Sequence, residues 1–252
     1  MSNLFWLTDA QMERLKPFFP KSHGKPRVDD RRVLSGIIFI NRNGLRWCDA
    51  PKEYGPHKTL YNRWKRWSDM GVFARIMAGL AAEGTETKTV MIDATYLKAH
   101  RTASSLRVKK GGPGRLIGRT KGGMNTKLHA VTDAIGRPIT FFMSAGQVSD
   151  YTGAAALLRE LPEADWLLAD RGYDADWFRD ALKDKEIKPC IPGRKKRKTP
   201  VKYDKRRYKR RNRIEIMFGR LKDWRRIATR YDRCPKVFLS AVALAATVLF
   251  WL

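Results

Sequence analysis

The sequence is short of acid: 25 Asp+Glu stand against 52 Lys+Arg in 252 residues, a formal charge of +27. Such an excess sets a compact chain against itself, and the expected partner is a polyanion. Cysteine is scarce as well. Cys48, Cys190 and Cys234 are odd in number and unevenly spaced, which excludes a disulfide framework and a cysteine-rich zinc site. The four histidines, His23, His57, His100 and His129, form neither an HExxH pattern nor a close pair of ligands. No run is long enough for a bilayer, which takes about twenty apolar residues. Residues 237–252 carry no charge for sixteen positions and read as a buried helix. Residues 1–20 have no basic n-region, apolar h-region or small-residue cleavage site, so a cytoplasmic location is expected. What is present is ample core material, 43% hydrophobic residues, in a length suited to one ordinary domain with a small accessory one.

The positive charge is unevenly spread. Lys98 through Lys127 holds nine Lys+Arg and no acid, and residues 190–235 hold nineteen against four acids. A solvated face or tail would by itself explain GRKKRKTPVKYDKRRYKR. Three separate basic regions weaken that account, and the runs lack the apolar face that binding to acidic lipid requires. Nucleic acid is the polyanion that remains.

Residues 1–80 read as a small helical domain. Thr8 with Gln11 makes a capping box before a short helix ending at Pro20. Residues 29–42 carry Val33, Leu34, Ile37 and Ile38, with Gly44 as the stop signal. Thr59 is expected to cap a helix with Leu60, Trp64 and Trp67 on one face and Asn62, Arg63, Lys65 and Arg66 on others; a last helix covers 71–81. A basic, aromatic helix of this kind suits a major groove, with Asn62, Arg63 or Arg66 on bases or phosphates. Equally, the tryptophans could be core and the arginines surface.

Residues 81–88 read as a linker, and the pattern then changes. Val90 and Ile92 define a buried strand delivering Asp93 at or near its end. Lys127–Thr132 and Pro138–Met143 form a hairpin, Asp150 caps a helix over 151–161, and WLLAD (166–170) is a short strand ending in Asp170. A helix near 175–184, a strand near 188–191 and further helices complete a mixed α/β sheet covered by helices, over 89–252. The insert 97–126, with Arg119 and Lys121 and bounded by Lys127, reads as a basic loop offering DNA contacts; its glycines match no phosphate-binding loop.

Asp93 and Asp170 each end a hydrophobic run, so neighbouring strands could bring them together, although either alone could be a cap or turn former. Two such carboxylates repel unless a divalent cation lies between them. Glu215 is the third acid. At 100° per residue, Tyr208, Arg211, Glu215 and Lys222 share a polar stripe beside the apolar Ile214, Met217, Phe218 and Leu221. Glu215 could also be a mere i,i+4 partner of Arg211. Three carboxylates suit Mg²⁺, with Mn²⁺ as a substitute, rather than zinc. Two such ions about 4 Å apart would activate a nucleophile and stabilise the leaving oxygen of a phosphodiester.

These residues resemble the catalytic domain of the DDE transposases of bacterial insertion sequences. The match lies in IDAT (Ile92–Thr95), ADRGYD (Ala169–Asp174) and the signature Tyr208-(2)-Arg211-(3)-Glu215-(6)-Lys222; LRWCDAPKEYGPHKTLYNRWKRW and the C-terminal FLSAVALAATVLFWL extend it over nearly the whole chain. The resemblance implies an RNase H-like fold with Asp93, Asp170 and Glu215 as the catalytic and metal-binding triad. It further implies recognition of terminal inverted repeats, release of 3′-hydroxyls and their transfer to target DNA, with Tyr208, Arg211 and Lys222 on DNA near the scissile end. Double-stranded DNA is then the partner, the location nucleoid-associated, and paired ends call for a homodimer. A non-transposing nuclease of the same fold would keep the three acids, and a DNA-binding protein without activity would keep the charge.

Overall fold

The computed structural model describes residues 4–21, 29–84, 88–104 and 114–252. Its N-terminal part is helical: α1 (Asp9–Leu15), α2 (Asp30–Asn43), α3 (His57–Asp69) and α4 (Val72–Gly84). The capping box forms, Thr8 Oγ1 accepting from the Gln11 N–H at 3.1 Å and Gln11 Oε1 from the Thr8 N–H at 3.0 Å. Gly44 ends α2 in the left-handed region at φ +73°, where a side chain would be strained. α3 begins two residues ahead of Thr59 and has no side-chain cap, yet buries Leu60, Trp64 and Trp67 as the periodicity predicts. α4 extends through residues 81–84 of the segment read as linker, because Leu80 and Ala81 are still buried on its inner face. Residues 85–87 lie outside the described residues.

Then follow β1 (Thr89–Ala99), α5 (Arg101–Ser104), β2 (Gly118–Thr120), β3 (Gly123–Thr132), β4 (Pro138–Ala145), α6 (Asp150–Leu158), β5 (Trp166–Leu168), α7 (Asp176–Asp184) and β6 (Lys188–Cys190). The chain continues through α8 (Lys205–Tyr208), α9 (Asn212–Lys222), α10 (Arg225–Ala228), β7 (Thr229–Arg230) and α11 (Pro235–Ala246). The sheet is five strands across, β4-β3-β1-β5-β6. β2 extends the edge beside β3, and β7 lies along the far end of β1. β1 runs antiparallel to β3, with Asp93 opposite Ala130, and parallel to β5, with Met91 opposite Leu168.

Three expectations change here. β1 does not end near Asp93 but continues for six residues, because its second half pairs with both β3 and β7. The segment 97–126 is therefore not a single loop: its ends belong to β1, α5, β2 and β3, and residues 105–113 fall outside the described residues. The cap of α6 is Ser149, whose hydroxyl accepts the Tyr151 N–H, and not Asp150.

Alternation along the strands divides the core. Met91, Leu97, Leu128 and Ala130 face α9–α11 and the N-terminal helices, while Val90, Ile92 and Val131 face α6 and α7. α11 is apolar on nearly every side, as a helix enclosed by others must be, and packs against α2, α3, α4 and β4. It joins the N-terminal helices and the sheet in one core. Arg226 adds a polar tie from α10 to the turn after α2, donating to the Leu45 carbonyl at 3.0 Å.

Candidate metal and nucleic-acid site

Asp93 lies mid-strand on the face of β1 that looks toward α9. Its Oδ1 accepts the Ala94 N–H at 2.8 Å. Two residues on, Thr95 occupies the same face and accepts from Lys222 Nζ at 2.7 Å. Thus α9 lies across β1, with its apolar Ile214, Met217, Phe218 and Leu221 buried and its polar stripe turned to the carboxylate.

Arg211, in the single 3₁₀ turn between α8 and α9, joins two of the acids. One guanidinium nitrogen donates to Asp93 Oδ2 at 2.8 Å and the other to Glu215 Oε1, one helical turn further on. Tyr208 is half-buried with its ring 5.8 Å from that guanidinium and edge-on to Tyr203. Burial pushes the Lys222 ammonium down.

Asp170 follows β5 by two residues, as Asp93 follows Met91, so the parallel register carries both toward the same region. It caps a 3₁₀ turn over Arg171–Tyr173, Oδ1 accepting the Gly172 N–H at 2.8 Å. Burial is the largest influence on Asp93, pushing its carboxyl up to about 6. The Ala94 N–H and Arg211 pull the other way, and Asp170 adds repulsion. Tyr173 was not singled out by the sequence. Its hydroxyl is buried without a hydrogen-bond partner, and burial, then Asp93, Asp150 and Asp170, push the phenol well up.

Among the described residues, no three carboxylate, imidazole or thiol groups stand close enough to hold one ion. The donors nevertheless fit a hard divalent cation in kind. All are oxygens, Asp93 and Glu215 already converge on one cationic group, the Arg211 guanidinium, and Asp170 acts on the same carboxylate. Turning Arg211 aside would free two of the three.

The other sequence candidates divide. Asn62 and Arg66 are exposed on α3, whereas Arg63 is tied to Asp30 and lies 5.1 Å from the Trp67 ring, and Lys65 pairs with Asp69. Arg119 and Lys121 are exposed around β2. Lys127 differs from the surface contact expected of it. It is 4% exposed, and its ammonium donates to the Val148 carbonyl at 2.6 Å and to Asp150 at 3.0 Å, because its side chain points to the α6 face of β3.

A mixed five-strand sheet with helices on both faces, one acid on β1 and another just beyond the adjoining β5 defines an RNase H-like α/β class with an added N-terminal helical region. Two family models match: residues 84–250 fit "Transposase DDE domain" and residues 7–77 fit "Putative transposase of IS4/5 family". The chain belongs to the DDE transposases of bacterial insertion sequences, IS4/5 family. It is 37% identical over 130 residues to the "Putative transposase for insertion sequence element IS6501" of Brucella ovis, covering 51% of this chain and 99% of that one. It is 28% identical over 181 residues to the corresponding IS402 protein of Burkholderia cepacia, covering 59% of this chain and 83% of the relative. Among solved structures, a piggyBac transposase synaptic complex with hairpin DNA matches with a TM-score of 0.55 at 9% identity. That match covers 97% of this chain and 72% of the other, a likeness of fold. Among the described residues no helix is long and apolar enough to cross a membrane.

Proposed function

We propose that this chain cuts double-stranded DNA at the terminal inverted repeats of its element in a divalent-metal-dependent reaction and joins the freed 3′-hydroxyls to target DNA. The observation that carries the reading is the meeting of three sequence-distant segments: Asp93 in β1, Asp170 after the adjoining β5, and Glu215 on α9, linked to Asp93 through Arg211. Asp93, Asp170 and Glu215 would hold Mg²⁺ or Mn²⁺, two ions as in other phosphodiester-cleaving sites. Bound there, the metal would activate water or a hydroxyl and stabilise the leaving oxygen.

The chain's own groups supply the rest. Lys222, fixed by Thr95 two residues along β1 from Asp93, presents an ammonium that can hold a phosphate oxygen. Arg211 can exchange its carboxylates for a phosphate, and Tyr208 stands next to it. Asn62 and Arg66 on α3, with Arg119 and Lys121, extend the DNA contact away from the site. We assign sequence recognition to residues 1–80, chemistry to residues 89–252, and action to the nucleoid in the cytoplasm as a homodimer on paired ends.

The test is Mg²⁺-dependent nicking of a duplex bearing the element's end sequence. Asp93→Asn should abolish cleavage and keep DNA affinity. Undiminished cleavage by this variant overturns the reading. Point variants are the right tool for the N-terminal part as well, since deleting residues 1–80 would uncover α11.

A further inference from the structure

The basic run that opens with GRKKRK is held to the turn carrying Asp170. The anchor is Asp174, whose side chain is fully buried. Its Oδ1 accepts from Arg179 Nε at 2.8 Å and from Arg197 Nη1 at 2.9 Å, and its Oδ2 accepts the backbone N–H of Arg194 at 2.8 Å. Burial alone would raise this carboxyl, but the Arg194 N–H and the two guanidinium groups hold it below the usual range. Further ties flank it: Arg179 donates to the Ile191 carbonyl at 2.7 Å, and Arg194 donates to the Gly172 carbonyl at 3.0 Å. Arg197 also pairs with Asp176. Segment 191–197 is thereby bonded on both sides to the turn 170–174.

Lys195, Lys196 and Lys198 project from this anchored segment into solvent, and none makes a hydrogen bond or ion pair among the described residues. A solubilising loop needs no anchor. Burying a carboxylate with two guanidinium groups costs desolvation that surface charge would not incur, and what it secures is position. Three exposed ammonium groups on a segment tied to the Asp170 turn offer a phosphate backbone several contacts close to the proposed phosphodiester-cutting site.

We infer that Lys195, Lys196 and Lys198 grip the DNA backbone next to the scissile position, with Asp174 as the positioning residue that fixes their loop to the Asp170 turn. The inference rests on the reading of DNA as substrate, and backbone phosphate, being independent of sequence, is the chemistry recognised.

The test uses the full chain and a labelled duplex of arbitrary sequence, with anisotropy measured between about 50 and 200 mM salt. The triple variant Lys195→Ala, Lys196→Ala, Lys198→Ala removes only exposed side chains, and its melting temperature should match the parent. Its slope of log affinity against log salt should be shallower by roughly 2 to 3, about 0.9 for each lost phosphate contact. Asp174→Asn gives a readout of opposite sign from bulk charge. It makes the chain more positive, so long-range attraction alone predicts tighter binding, whereas release of the loop predicts weaker binding. A slope unchanged by the triple variant overturns the contact, and tighter binding by a folded Asp174→Asn overturns the positioning role. If the parent has no salt-dependent affinity for DNA, the proposed function falls with it; a normal parent slope beside an unaltered triple variant removes this inference alone.

Discussion

Arg211 reaches Asp93 across 118 residues of sequence and holds it at 2.8 Å while its other nitrogen is on Glu215. One guanidinium therefore neutralises two of the three acids assigned to metal. A divalent cation must compete with it for the same oxygens. Replacing Arg211 by Gln removes the competitor, and Mn²⁺ affinity of the stripped protein, followed by calorimetry, should rise severalfold. The same variant should lose DNA affinity, since it lacks a charge-assisted phosphate partner. Unchanged or weaker Mn²⁺ binding would show that the guanidinium is a structural strut.

Asp93 also sets a pH dependence. In metal-free protein its carboxyl stands at about 6 against an ordinary 3.8, chiefly through burial, so the folded chain binds its proton more tightly than the unfolded chain does. Stability from this group is full below pH 3.8 and is lost as pH rises through 6, by up to about 3 kcal/mol. His129 has the opposite sign. Burial lowers its imidazole from 6.5 to about 4, so its contribution is full above 6.5 and is lost as pH falls through 4. Between pH 4 and 6 the two oppose each other, and Asp232, whose carboxyl burial also pushes up, adds to the Asp93 side. Asp93→Asn removes one of the contributions that fall with pH: from pH 4 to 6 the denaturant midpoint of the chelator-treated variant should rise relative to the parent's, and it should exceed the parent's at pH 7.

Local chemistry was legible in the sequence, and long-range chemistry only where a period transmitted it. Thr8 and Gln11 act within one turn, so their capping box could be read directly. Glu215 could be placed because the stripe it shares with Arg211 and Lys222 survives the 3₁₀ turn between α8 and α9. The bond of Lys222 to Thr95 spans 127 residues and follows from no local pattern. The anchoring role of Asp174 was equally hidden: the residue lies inside ADRGYD, but its arginine partners meet it only after β6 brings the chain back. In the sequence β2 and the first residues of β3 read as loop because glycine and lysine hide a short edge pairing, and Lys127 reads as surface because strand register, not local pattern, decides which face it points to.

Two glycines should respond to alanine with opposite signs. A Cβ at Gly153 would come within 2.1 Å of His129 Nδ1, where α6 rests on β3. Gly153→Ala must push the helix from the sheet, at roughly 1–3 kcal/mol. Gly219, exposed in α9, has nothing within 4 Å of its added Cβ, and alanine there should stabilise by about 0.5–1 kcal/mol through helix propensity. Urea denaturation of the two variants decides both, and a neutral Gly153→Ala would mean that α6 can shift freely over the sheet.

On α3, Arg63 and Arg66 should separate folding from binding. Arg63 is tied to Asp30 and packs over the Trp67 ring, with side-chain exposures of 15% and 24% for the ion pair. Its removal leaves a half-buried carboxylate without this partner and uncovers part of an indole, so Arg63→Ala should destabilise by about 1–3 kcal/mol. Arg66 is exposed and makes no side-chain hydrogen bond or ion pair among the described residues. Arg66→Ala should leave the melting temperature within about a degree, a surface change being worth less than about 0.5 kcal/mol. If α3 meets DNA, the same variant should lower affinity for the element end more than for arbitrary duplex when Arg66 touches a base, and both alike when it touches phosphate. Equal binding by parent and variant on both duplexes would take Arg66 out of the interface and leave Asn62 as the exposed candidate on that helix.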